Sequence, residues 1–80
     1  MDTNKLHNLA ISDSGFIFDP ETGNSYTTNE TGAIIINKLK KGHKVSEISA
    51  LLLEDYEVSP DEVELDIVNM LETLKNNNLL

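Results

Sequence analysis

Apolar and polar positions alternate in short runs near the start of this chain and then switch to helical spacing. Leu6 to Ser12 places Leu9 and Ile11 on one face and predicts a first strand, ahead of a Ser14-Gly15 turn. Phe16 to Asp19 reads as a second strand, with Phe16 and Phe18 on one side and Ile17 on the other. Pro20-Glu21-Thr22-Gly23 is turn chemistry, because proline presets φ and glycine supplies the left-handed position. Asn24 to Thr28 predicts a return strand carrying Tyr26. Residues 1–5 form a polar, loose leader in this reading.

From Asn29 onward the pattern is helical. Asn29 is placed as an N-cap, Glu30 lies near the positive end of the helix dipole, and Gly42 is the left-handed stop after Lys40-Lys41. Gly32 in the first turn weakens that helix by about 1 kcal/mol relative to alanine, which suggests close approach of another backbone there. A second helix begins at Ser46 and carries Ile48, Leu51, Leu52 and Tyr56. The third has the clearest start: Ser59 as N-cap, Pro60 at N1, Glu62 completing a capping box, and Val58 with Val63 placed as a hydrophobic staple. It runs to about Asn76. The expected fold is thus α+β: a three-stranded antiparallel sheet, made of a hairpin plus one strand, followed by three helices in one domain spanning residues 1–80.

The third helix has two apolar faces. Val63, Ile67, Met70 and Leu74 fall on one stripe, read as core. Leu65 and Val68 fall opposite, beside Asp61 and Glu72. Single exposed apolar residues are ordinary and need no partner. Beside an uncovered strand edge, however, Leu65 and Val68 would floor a groove with an acidic rim. An uncovered edge is itself a place to bind an extended peptide.

Charge removes several function classes. Fourteen acids face six lysines and no arginine, for a net −8. Such a surface repels phosphate backbones and anionic lipid. No apolar run approaches a membrane span, and MDTNKLHNL lacks the order of a signal peptide, so a cytoplasmic location is expected. The chain has no cysteine, hence no disulfide or thiolate site.

Catalytic and metal chemistry find little footing. His7 and His43 stand far apart in polar segments, without acids at ligand spacing, and read as surface histidines. The acids from Glu54 to Asp66 lack the alternating ligands and central glycine of a calcium loop, so they read as a solvated face. Asp13-Ser14 resembles a carrier-protein dipeptide but precedes a strand rather than a helix, which makes Ser14 turn chemistry. No cofactor, metal or enzymatic activity is expected of the chain alone.

The ordered set FDPETGNSYTTNETGAII followed by KVSEISALLLEDYEVSPDEVELDIVNMLETLKNNNLL resembles the PqqD family over roughly residues 9–80. The shared features are a hairpin with an aromatic in its second strand, the Asn-Glu-Thr-Gly helix start, the Val-Ser-Glu-Ile opening and the acidic turn into the last helix. Members are small peptide chaperones of pyrroloquinoline quinone biosynthesis and related systems, also called RiPP recognition elements. The resemblance implies a winged-helix-like domain that binds the leader of a ribosomally made precursor peptide. The leader would add as a strand, and the domain would present it to a modifying enzyme such as a radical SAM protein. Carried onto this chain, the pairing edge is Ser25, Tyr26, Thr27 and Thr28, and the helical wall is Asp61, Leu65, Val68 and Glu72.

The alternative is a winged-helix adaptor or transcriptional regulator, since the last two helices have helix-turn-helix spacing. Charge weighs against nucleic acid. Duplex binding needs cations that displace counterions, yet Val45 to Leu74 holds nine acids and no Lys or Arg.

Overall fold

A computed structural model describes residues 2–80. Its order is a 3₁₀ helix over Asn4–Asn8, then strands β1 (Ala10–Ile11), β2 (Phe16–Phe18) and β3 (Ser25–Thr27), then helices α1 (Glu30–Lys40), α2 (Val45–Asp55) and α3 (Pro60–Asn76). The strands form one antiparallel meander in the order β1-β2-β3. The expected α+β fold of three strands followed by three helices is therefore observed. Its winged-helix likeness is loose, because sheet and helices occupy separate parts of the chain.

The N-terminal segment departs from expectation. Met1 lies outside the described residues, but Asn4–Asn8 is a 3₁₀ helix rather than a loose leader or the start of a strand. The turn carries Leu6 with its side chain fully buried in the core. Lys5 Nζ donates to Asn78 O at 2.9 Å and Lys40 Nζ donates to Leu9 O at 2.8 Å, tying this segment to α3's end and to α1.

The strands are short, but their pairing continues past the named ends. Asp19 N–H donates to Asn24 O and Thr28 N–H donates to Gly15 O, both at 2.8 Å. Asp19, 5% exposed, is the anchor of the hairpin turn. Its carboxylate accepts from Glu21 N–H and from Thr22 Oγ1, and its carbonyl accepts from Gly23 N–H. The burial of a charged group is thereby matched by hydrogen bonds, as it must be to be tolerated.

Helix ends follow their caps. Asn29 Oδ1 accepts from Gly32 N–H at 2.7 Å, and Ser59 Oγ accepts from Glu62 N–H at 3.2 Å. The α2 start is one residue earlier than expected: Lys44 is its cap, and Lys44 N–H donates to Glu47 Oε1 at 3.0 Å. α1 and α3 both close with a left-handed residue followed by a reverse bond to the last turn. Gly42 has φ +90° with His43 N–H on Lys38 O, and Asn78 has φ 58° with Leu79 N–H on Leu74 O. In α3 that closure also seats Leu79 in the core beside Leu74.

One apolar core holds these elements. Ile17 faces it from β2, with Ile35, Ile36 and Leu39 from α1, Ile48 and Leu52 from α2, and the stripe Val63, Ile67, Met70 and Leu74 from α3. Tyr26 and Ile11, on the same sheet face as Ile17, pack partly against it.

Candidate functional site

The meander leaves β3 as an open edge, and the phase of the ladder decides which of its groups are free. Antiparallel pairs alternate between hydrogen-bonded and non-hydrogen-bonded. The bonds at Asp19/Asn24 and Gly15/Thr28 fix that phase, so Ile17/Tyr26 is a bonded pair while Phe18/Ser25 and Phe16/Thr27 are not. The N–H and C=O of Ser25 and Thr27 therefore point away from the sheet: two donors and two acceptors along the open edge.

Alongside this edge runs a groove between β3 and α3, with a cavity of about 140 Å³. Its base is apolar, formed by Ile17, Met70, Leu74 and Leu79. Tyr26, Thr27 and Thr28 line the strand side, and Asp66, Asn69 and Thr73 line the helix side. Gly32 closes one end. A Cβ on it would collide with Thr28 Oγ1 and sit 2.9 Å from Met70 Cε. The close approach expected at Gly32 is thus made by two side chains that shape the groove, not by a backbone.

The expected pairing residues gather at this place. Ser25, Tyr26 and Thr27 are β3, and Thr28 follows directly. The expected helical wall is divided. None of Asp61, Leu65, Val68 or Glu72 lines the cavity. At about 100° per residue, Leu65 lies about 40° and Glu72 about 60° beyond Asn69, at the outer lip of the groove. Asp61 and Val68 lie about 80–100° beyond it, toward solvent. Leu65 is 59% and Val68 43% exposed, so both stand outside the core, as their separation from the core stripe implied.

The residues that sequence reasoning missed are Asp66, Asn69 and Thr73. They form a polar stripe directly beside the core stripe of α3. The spacing is visible in the sequence, but an amphipathic helix has two such flanks, and only the tertiary packing decides which one meets β3.

Electrostatically the groove is acidic at its helix wall. Asp66 lines it, Asp61, Glu62, Glu64 and Glu72 share the helix, and none is in a salt bridge among the described residues. The one ion pair among these residues, His43 Nδ1 to Glu47 Oε2 at 3.7 Å, lies at the start of α2. Also among the described residues, no group of three His, Cys, Asp or Glu is placed to hold a metal ion, and no helix is long and apolar enough to cross a membrane.

Comparison with known proteins bears on this geometry. A lasso peptide synthetase B1, solved in complex with the leader peptide, matches with a TM-score of 0.70 and 31% identity, over 86% of this chain and 82% of that one. TbiB1, in complex with the TbiA(beta) leader peptide, matches with a TM-score of 0.74 and 27% identity, over 90% and 85% of the two chains. A search of curated proteins finds no match. The family model for coenzyme PQQ synthesis protein D matches residues 15–80, which hold the hairpin, its open edge and all three helices. By that match and by its likeness to the lasso peptide synthetase B1, this chain belongs to the PqqD family.

Proposed function

We propose that this domain binds the leader segment of a ribosomally made precursor peptide, added as a strand beside β3, and presents it to a modifying enzyme such as a radical SAM protein. The observation that carries this is the pairing of an unsatisfied edge at Ser25 and Thr27 with an apolar-based groove beside it. The two similar solved structures are both leader-peptide complexes, which supports the same ligand class here.

Magnitudes divide the work between edge and groove. Four added backbone hydrogen bonds contribute about 2–6 kcal/mol at 0.5–1.5 kcal/mol each. Micromolar affinity requires about 8 kcal/mol after all losses. The edge therefore supplies register and sequence-tolerant affinity, while the groove supplies the remainder and the selection. In this reading Ser25 and Thr27 pair with the peptide backbone, Tyr26 and Thr28, whose own backbone groups face β2, line the groove beneath it, and Asp66, Asn69 and Thr73 flank its inward side chain. Leu65 and Glu72 meet it at the lip. Asp61 and Val68 meet flanking leader residues, and the acids steer a leader bearing Lys or Arg. The domain acts as a non-catalytic adaptor.

Titration of a candidate leader, taken from a precursor encoded beside this protein, into isotope-labelled domain tests the placement. Amide shifts are expected at 25–28 and along 65–77. Shifts confined to 46–56 would place the peptide elsewhere and overturn the assignment.

A further inference from the structure

The groove occupies one face of the sheet edge, and the opposite face carries an aromatic pair the proposed binding mode leaves unused. Phe16 is 48% and Phe18 38% exposed. Since Ile17 and Tyr26 face the core, Phe16, Phe18, Ser25 and Thr27 stand together on the outer face, in the cross-strand rows Phe18–Ser25 and Phe16–Thr27. The middle residue of each row is small and exposed.

Resting on the strand addition proposed above, we infer that this outer face is a second selection surface for the bound peptide, taking two large apolar or aromatic side chains at positions i and i+2 around the residue opposite Tyr26. The ladder phase sets which peptide side chains reach this face. Peptide residues opposite Ser25 and Thr27 exchange backbone hydrogen bonds with them, so in an antiparallel addition their side chains project to the same outer face. The peptide residue between them projects inward, beside Tyr26 into the groove. An outward residue opposite Ser25 lies two strand spacings from Phe18, roughly 9–10 Å at the backbone. Two long side chains leaning over a serine close that gap, and the same holds for Phe16 across Thr27. A bulky residue at 25 or 27 would block the contact. The small ones leave it open.

This makes the recognised motif amphipathic in an unusual sense, with a single inward residue filtered by the groove and its two neighbours filtered by Phe18 and Phe16. Serine or asparagine at the outward positions would keep the backbone bonds but lose the aromatic contacts.

A library of acetylated nonapeptides tests this, with a fixed central leucine, a terminal spin label to report register by broadening at residues 25–27, and the two positions flanking the leucine scanned. Aromatic or large aliphatic residues at both flanking positions should bind about tenfold tighter than serine, the combined effect of two cross-strand contacts. In the Phe16→Thr, Phe18→Ser double variant that preference should collapse, while replacing the central leucine by aspartate still weakens binding. Phe18→Ser alone, which empties one row and leaves the other intact, should abolish the preference only at the position opposite residue 25. A preference that survives in the double variant, or a wild-type domain that selects the central residue alone, overturns the outer-face proposal and leaves strand addition standing. Failure of every library member to bind or to broaden residues 25–27 overturns both. Sedimentation showing a dimer that the double variant dissociates would make the face a self-interface and overturn the proposal as well.

Discussion

Gly15 sits where the chain turns between β1 and β2, with φ +95°, and a Cβ there would collide with Thr28 O. Its own carbonyl accepts from Thr28 N–H, the bond that ends the ladder just below the open edge. Gly15→Ala should cost about 1–3 kcal/mol from backbone strain alone, with the collision adding to it, and a urea titration should show the lowered midpoint. Unchanged stability would mean that the β1–β2 turn adapts freely. Glu47 offers a pH-dependent counterpart. The Lys44 backbone N–H, with nearby His43 adding to it, holds its carboxyl below the ordinary value. A depressed carboxyl pKa means that this support for the start of α2 is present above the unfolded-state value and is lost as pH falls through the lower, folded one. The Lys44 amide resonance should therefore move as Glu47 protonates, and should stop responding in Glu47→Gln. A Lys44 amide that titrates identically in both proteins would refute the link.

At the scale of elements, α3 serves core and site with different faces. Ile67→Ala or Leu74→Ala should each cost about 2–5 kcal/mol, because both side chains are buried and leave cavities. Val68→Asp should stay within about 0.5 kcal/mol of the parent, as for other exposed positions. Leu65→Asp should also leave folding nearly intact while weakening peptide binding; unfolding by that change would show that Leu65 is core after all. Most of this helix was legible beforehand, since Ser59, Pro60 and the spacing of Val63, Ile67, Met70 and Leu74 each carry a local physical signal. What stayed hidden was relational. Leu6 and Leu9, both buried, stand at the i, i+3 spacing of a 3₁₀ turn, but one such pair is too short a pattern to compete with the alternation of Leu9 and Ile11 that reads as a strand. The groove-side stripe of Asp66, Asn69 and Thr73 is equally silent, because its role depends on which flank of α3 meets β3.

The molecule as a whole is electrically lopsided. Residues 1–44 carry five acids and five lysines, whereas residues 45–80 carry nine acids and one lysine. The sheet end is near neutral and the last two helices hold the whole net charge. A helix-turn-helix pair of that sign meets phosphate with repulsion, and no affinity for mixed duplex DNA is expected at physiological salt. Fluorescence anisotropy with a labelled duplex checks this, and saturable binding would reopen the regulator reading. Leader binding should weaken only modestly as salt rises, because strand pairing and apolar contacts survive when exposed charges are screened. An affinity that vanishes at high salt would assign most of the binding to the acidic helix instead.

The brevity of β3 has a cost and a benefit. An exposed edge is a template on which any extended chain can polymerise, including a second copy of the same protein. Here only two residues of the edge carry open backbone groups, which limits what a second copy can add there, and a shared net charge of −8 works against the copies meeting. A longer edge would grip a leader harder, and would also make the domain a seed for its own aggregation.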